Sequence, residues 1–186
     1  GFSFTFDGGN HTVKNFKVSG NGEYHGGLFF GVQKEGALVS NLIIENAIIY
    51  SSPDNNGKVF HAGTLAGYYG NGRISNCIAR NCTVMCHEAS TGFSGGLVGS
   101  LSINNGFLTL ENCHVENCKI TSAKHSGGIV GSLENGKLIA CSAISVEVNG
   151  VNAGGISGQA FKFDSEIIGC YASGRISAST YGGGIS

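Results

Sequence analysis

The side chains of this sequence that could carry chemistry are seven cysteines, six histidines and twelve carboxylates. The cysteines are Cys77, Cys82, Cys86, Cys113, Cys118, Cys141 and Cys170. A zinc site needs Cys or His at close spacing, and Cys82-x3-Cys86-His87 is the nearest approach. Disulfides between Cys77 and Cys113, or Cys82 and Cys118, are a second option; an odd count then leaves one thiol over. The third option is a core role, because free cysteine behaves as a small buried hydrophobe. We take that reading for Cys77, Cys113, Cys141 and Cys170, and expect no metal and no cofactor. His25, His61 and His125 each stand just before a glycine pair. His25 and His61 hold the same repeat position on consecutive layers, and a partly exposed stacked pair is the expectation, with metal binding or pH sensing as its alternative.

The remaining chemistry is sparse. There is no His-Glu-x-x-His, so a zinc-peptidase helix is absent. Residues 92–96 read Gly-Phe-Ser-Gly-Gly, a turn and not a nucleophile elbow. Matches to Gly-x-Gly-x-x-Gly are expected by chance among 32 glycines, and no strand–helix–strand context accompanies them. Polysaccharide-processing enzymes need clustered carboxylates on neighbouring coils. Here the acids are scattered. Only Glu45 and Glu116, with Arg80 between their layers, suggest a grouping, and a surface charge ladder explains it. We assign no catalytic residue and expect no enzyme activity. The net charge of −1 offers no basic face to nucleic acid. No run of 18 apolar residues exists, so no membrane insertion is expected.

The elements that would position these residues come from repeats. A glycine phrase recurs at Gly26-Gly27, Ala62-Gly63, Gly95-Gly96, Gly127-Gly128, Gly154-Gly155 and Gly183-Gly184, at intervals of 27 to 36 residues. Self-similarity at such a period marks a stacked repeat architecture. A second phrase lies between: Val39-Ser-Asn-Leu42, Ile74-Ser-Asn-Cys77, Leu110-Glu-Asn-Cys113, Leu138-Ile-Ala-Cys141 and Ile167-Ile-Gly-Cys170, with Val13-Lys-Asn-Phe16 as an earlier copy. Its apolar positions alternate, as a half-buried strand requires.

Five residues after the third position of each phrase stand Gly20, Asn46, Asn81, Asn117, Ser145 and Gly174. Gly and Asn accept the left-handed backbone at least cost, so this column predicts a corner in every layer. The third position itself, with Asn15, Asn41, Asn76 and Asn112, predicts an amide ladder that stops at Ala140. Asn-Gly at 71–72, 105–106 and 135–136 signals either hairpins, with antiparallel pairing, or bends of a parallel coil. We take the coil. The expected fold is an all-β parallel solenoid of six to seven coils, right-handed by the usual chirality of parallel connections.

These phrases resemble the GLUG-motif repeat family. Its units read roughly Gly-Gly-Leu-Val-Gly, a turn, then Ile-x-Asn-Cys-Tyr-Ala-Thr-Gly. Residues 95–99 and 127–131 match the first half, and Cys170-Tyr-Ala-Ser-Gly174 the second. The segment from Phe4 to Val13 is similar to the lead-in of such arrays. Leu42 in place of Cys, and Ala62 in place of Gly, depart from the pattern. The resemblance implies a secreted or surface protein, adhesin-like or accessory to an immunoglobulin-A-cleaving metallopeptidase, and it implies no catalytic residue.

The chain starts at Gly1 and stops inside a repeat phrase, which reads as a piece of a longer protein. We expect one solenoid domain over 1–186, with 1–25 as an entry coil and 26–186 as repeats. Its open end would stack on further repeats or another subunit, since bare strand edges aggregate. The connections at 50–61 and 85–94 are the longest, and insertions in repeat arrays often form the binding face. They put Tyr24, Asp54, Phe60, His61, His87, Glu88 and Phe93 forward as contacts for an unknown protein or glycan. The expected role is a structural or adhesive segment, extracellular or at the cell surface. The alternatives are a β-helix polysaccharide enzyme and a targeting domain of a secreted peptidase.

Overall fold

A computed structural model of the chain describes residues 4–21, 25–32, 36–52, 60–86, 92–101, 107–161 and 164–185. Tyr24, Asp54, His87 and Glu88 lie outside them. Among the described residues there is no helix, and all strand pairings are parallel. The molecule is a β-solenoid, and the coil reading holds for the Asn-Gly corners at 71–72 and 135–136, while 105–106 lies outside the described residues.

One coil shows the plan. Strands Gly72–Ser75, Ile78–Arg80, Thr83–Cys86, Gly92–Gly95 and Val98–Leu101 form five successive faces. The next strand, Leu108–Glu111, then returns to lie parallel beside Gly72–Ser75. The first four faces carry six rungs each and the fifth carries five. That makes about five complete turns instead of the six to seven expected. The difference lies at the start: the entry segment and the first glycine phrase belong to one coil. Residues 5–7, 12–14, 17–21, 25–26 and 29–32 pair with successive faces of the second coil.

Asparagine makes two adjacent corners in the second, third and fourth coils. Asn41, Asn76 and Asn112 have φ of 53°, 54° and 51°, and Asn46, Asn81 and Asn117 have 54°, 54° and 53°. Ala140 and Ser145 keep the same conformation at 52° and 53°. The third position is therefore a left-handed corner as well as a ladder. Its amides bond along the stack: Asn112 Nδ2 donates to Asn76 Oδ1 (2.8 Å), Asn76 to Asn41 (3.1 Å), and Asn41 to Asp7 Oδ1 (3.0 Å).

The register of the first coil differs from the expectation. Asn15 does not stack on Asn41. It stacks on Asn46, whose Nδ2 donates to Asn15 Oδ1 at 3.1 Å, and Thr12 pairs with Ile43. Val18 accordingly faces Ile49, and Gly20 faces Ser51. Asn10, with φ of 59°, takes the corner beside Asn41. The first coil also carries a bulge between Asp7 and His11. Gly8 permits it, because a Cβ there would sit 2.5 Å from the Asn41 carbonyl oxygen.

The glycine phrase shifts too. Gly63 pairs with Gly95 and Ala66 with Val98, so the second coil reads Gly63-Thr64-Leu65-Ala66-Gly67. The residue replacing glycine is Thr64, not Ala62, and its Oγ1 donates to the Gly96 carbonyl at 2.6 Å. This corner needs glycine for space. A Cβ on Gly96, Gly128 or Gly155 would overlap the carbonyl oxygen of the same corner one coil later.

The core runs down the axis as columns. Leu42, Cys77, Cys113 and Cys141 form one, Ile44, Ala79, Val115 and Ala143 a second, and Ile49, Val84, Ile120 and Val148 a third, all buried. All seven cysteines are free thiols, and only Cys170 is not fully buried. Burial pushes the Cys86 thiol up to about 12. Cys118, hydrogen bonded to the Cys82 thiol and buried, is also pushed well up.

Candidate functional site

The fourth face carries one outward column whose residue types depart from those of a bland solenoid surface. In register it reads His25, His61, Phe93, His125, Asn152 and Tyr181. Strand alternation separates this column from its neighbours. Ser94 and Ser126 point the other way, their hydroxyls donating to the Thr121 and Asn149 carbonyls at 3.0 and 2.6 Å. Phe60 also faces inward and is fully buried in the core, so it presents no ring to a ligand.

The rings stack along the solenoid axis because successive rungs lie about 4.8 Å apart. Centroids are 4.9 Å apart for His25–His61, 5.2 Å for His61–Phe93 and 5.0 Å for Phe93–His125. The last two pairs are stacked with nearly parallel planes, at 11° and 10°. Tyr68, from the fifth face, closes on His25 and His61 at 5.4 and 5.9 Å. The glycine corner makes this approach possible. Gly67 lies so close to the fourth face that a Cβ there would sit 2.6 Å from the His61 carbonyl oxygen and 2.7 Å from the Gly26 nitrogen.

Burial decides the charge of the column. His61 is 3% exposed and His125 4%. Desolvation, aided by the neighbouring His25 charge, pushes His61 down to about 3. Desolvation, aided by Lys124, pushes His125 down to about 4. Burial lowers His25 as well. At neutral pH the rings are therefore uncharged, and the column is an aromatic stripe with nitrogen atoms set in it.

At its far end the stripe changes character. Asn152 Nδ2 approaches His125 Nδ1 at 3.1 Å. Beyond it a cleft of about 600 Å³ opens, lined by Asn152, Ala153, Gly158, Gln159, Thr180, Tyr181 and Gly182. Gln159 Nε2 donates to Ser132 Oγ at 3.1 Å, which fixes the far wall.

Four ion pairs lie on other faces and join successive layers. Arg80 bonds Glu116 at 2.8 Å, Lys119 bonds Glu147 at 3.4 Å and Lys137 bonds Glu166 at 2.7 Å, while Arg73 pairs with Glu111. Among the described residues no three His, Cys, Asp or Glu side chains gather closely enough to share a metal ion.

Of the residues proposed from sequence, His61 and Phe93 come together here. Tyr68, Asn152, Gln159 and Tyr181 did not stand out in the sequence. A signal for two of them existed: each column member sits two residues before the first invariant glycine of its coil, as in Asn152-Ala-Gly154 and Tyr181-Gly-Gly183.

No protein-family model matches the chain, and no characterised protein matches it by sequence. A solved structure does. The crystal structure of a "putative immunoglobulin A1 protease" from Bacteroides ovatus superimposes with a TM-score of 0.59, over 97% of this chain and 68% of that one. The two are 19% identical over the match, so the similarity is one of fold.

Proposed function

We propose that this chain is a non-catalytic scaffold of a secreted or cell-surface protein, built of GLUG-type repeats and displaying one face to a protein or glycan. The observation that carries the reading is the uncharged ring column of the fourth face. It continues over four rungs, and His61 and Phe93 fall in sequence at or next to the ends of the connections whose lengths vary most. His25 and Phe93, the partly exposed members of the column, offer ring faces to rings and C–H surfaces, while the buried His61 and His125 are uncharged at neutral pH. Among the described residues Glu111, Glu116, Glu147 and Glu166 are engaged in ion pairs between layers.

A second reading has one observation in its favour. The name of the Bacteroides ovatus neighbour fits an accessory or targeting domain attached to a secreted peptidase. Both readings make this chain a binding partner and leave catalysis to another region. The test is a printed array of neutral and acidic glycans and of surface glycoproteins, probed with the labelled chain. Saturable binding to one class supports the proposal. Release of new reducing ends from any arrayed polysaccharide would replace it with an enzyme.

A further inference from the structure

We propose that the seam between the fourth and fifth faces is an acid-opened gate: protonation of His61 and His125 parts the fifth sheet from the body of the solenoid and bares the ring column. This goes beyond the proposed function and holds whatever the column binds.

The seam is built from two separate sheets. The first four faces share one 18-stranded sheet, while the fifth face is a five-stranded sheet of its own. Glycines let the two lie close. A Cβ on Gly67 would sit 2.6 Å from the His61 carbonyl oxygen, one on Gly99 2.5 Å from the Ala62 nitrogen, and one on Gly131 2.7 Å from the Ser94 nitrogen. Among the described side chains of the fifth sheet only Glu134 carries a charge. Contacts of this kind hold only while the seam stays closed and dry.

The histidines sit where a proton has nowhere to go. His61 Nδ1 is buried without a hydrogen-bond partner, and His25, Phe93 and Tyr68 pack around the ring. The strands packed against residues 60–63 carry His25, Tyr50, Tyr68, Tyr69 and Cys86 as titratable groups, and no carboxylate. Those packed against 125–127 carry Lys119, Glu134 and Glu147, with Lys124 next in the chain. Glu147 is already paired with Lys119. An imidazolium at His61 therefore gains no counter-charge in the closed seam and repels one at His25, and opening hydrates both. His61, Phe93 and His125 belong to the second, third and fourth coils, with a coil on either side. Their burial thus depends on neither end of the stack.

The closed seam holds these rings at about 3 and about 4, against about 6.5 for a hydrated histidine. The open form therefore binds more protons, and acid favours it. Between pH 7 and pH 4.5 the opening equilibrium rises by about 100-fold for each histidine.

The experiment is hydrogen–deuterium exchange of the whole chain, read by mass spectrometry at pH 7 and pH 4.5 and corrected for the exchange rate of free peptide. At pH 4.5 the amides of 66–69, 98–101 and 130–133 exchange at least about tenfold faster than those of 72–86 and 108–122. Their rates depend little on added urea, as a sub-global opening requires. In His61→Phe/His125→Phe the fifth-sheet rates no longer rise with acid. Phe93 shows that the column accepts a phenyl ring, and circular dichroism at pH 7 checks that the variant folds. If it does not, the single variants His61→Phe and His125→Phe each remove part of the rise. Equal rates on all five faces at pH 4.5 would mean that acid unfolds the chain as a whole, and would overturn the gate. Fifth-sheet rates that stay the same at both pH values, or that rise in the variants as in the parent, would overturn it too.

Discussion

At the residue scale the fold turns on a few side chains that tolerate unusual surroundings. Ala140 occupies a left-handed corner with φ of 52° where three asparagines precede it. A side chain without a local hydrogen bond pays about 1–2 kcal/mol there. Ala140→Asn should therefore raise unfolding free energy by about 1 kcal/mol, by easing the corner and extending the amide ladder from Asn112. Urea denaturation measures this, and a lower midpoint would contradict it.

The buried imidazoles set a pH dependence. Their folded pKa values of about 3 and 4 lie below the unfolded value near 6.5. The unfolded chain thus binds more protons between these limits, and stability falls as the solution is acidified. The loss begins as pH drops through about 6.5, approaches about 1.4 kcal/mol per pH unit for each histidine, and flattens for each below its folded pKa. His61→Phe, which keeps the stack, should remove about one proton from the dependence. Melting curves between pH 7 and pH 4 that coincide for parent and variant would contradict this account.

At the element scale, the strands and corners were largely legible in the sequence, and their exact register was not. Alternating aliphatic positions and the Asn/Gly columns gave parallel strands and corners, because each coil solves the same packing problem with the same residues. The first coil was misread by five residues, since Val13-Lys-Asn-Phe16 fits either Asn corner and the structure sets it at the second, beside Ile44 and Glu45. The glycine corner was misread by one in the second coil, because Thr64 substitutes there by bonding the Gly96 carbonyl. The ring column was only half visible. Three histidines drew notice, but Asn152 and Tyr181 share their place by register and not by type. Phe60, although next to His61, alternates into the core.

The steric logic of the glycine corner also makes a prediction. A methyl on Gly128 would overlap the Gly155 carbonyl and press within 2.7 Å of Ala143 Cβ. Gly128→Ala should cost about 3 kcal/mol or more, within the range of forced backbone shifts in a packed core. The same substitution at Gly184, where nothing lies within 4 Å, should change stability by less than about 0.5 kcal/mol. Equal effects at the two sites, measured by chemical denaturation, would overturn the packing account.

At the scale of the whole molecule, stability is a sum of layer-on-layer contacts, and covalent staples are not needed. Seven thiols should titrate per chain after denaturation without reductant. In the native state Cys170, at the last coil, should react first. Fewer than seven would mean disulfides between layers. The function assigned to the molecule follows from the same division of labour: regular columns build a rigid rod, and one irregular face does the recognition. The most direct measurement is to incubate the chain with the arrayed glycan or glycoprotein it retains, then analyse free and bound fractions by mass spectrometry. The account predicts saturable binding and recovery of the ligand at its original mass. Cleaved or unsaturated products, or no retained glycan or glycoprotein at all, would contradict it.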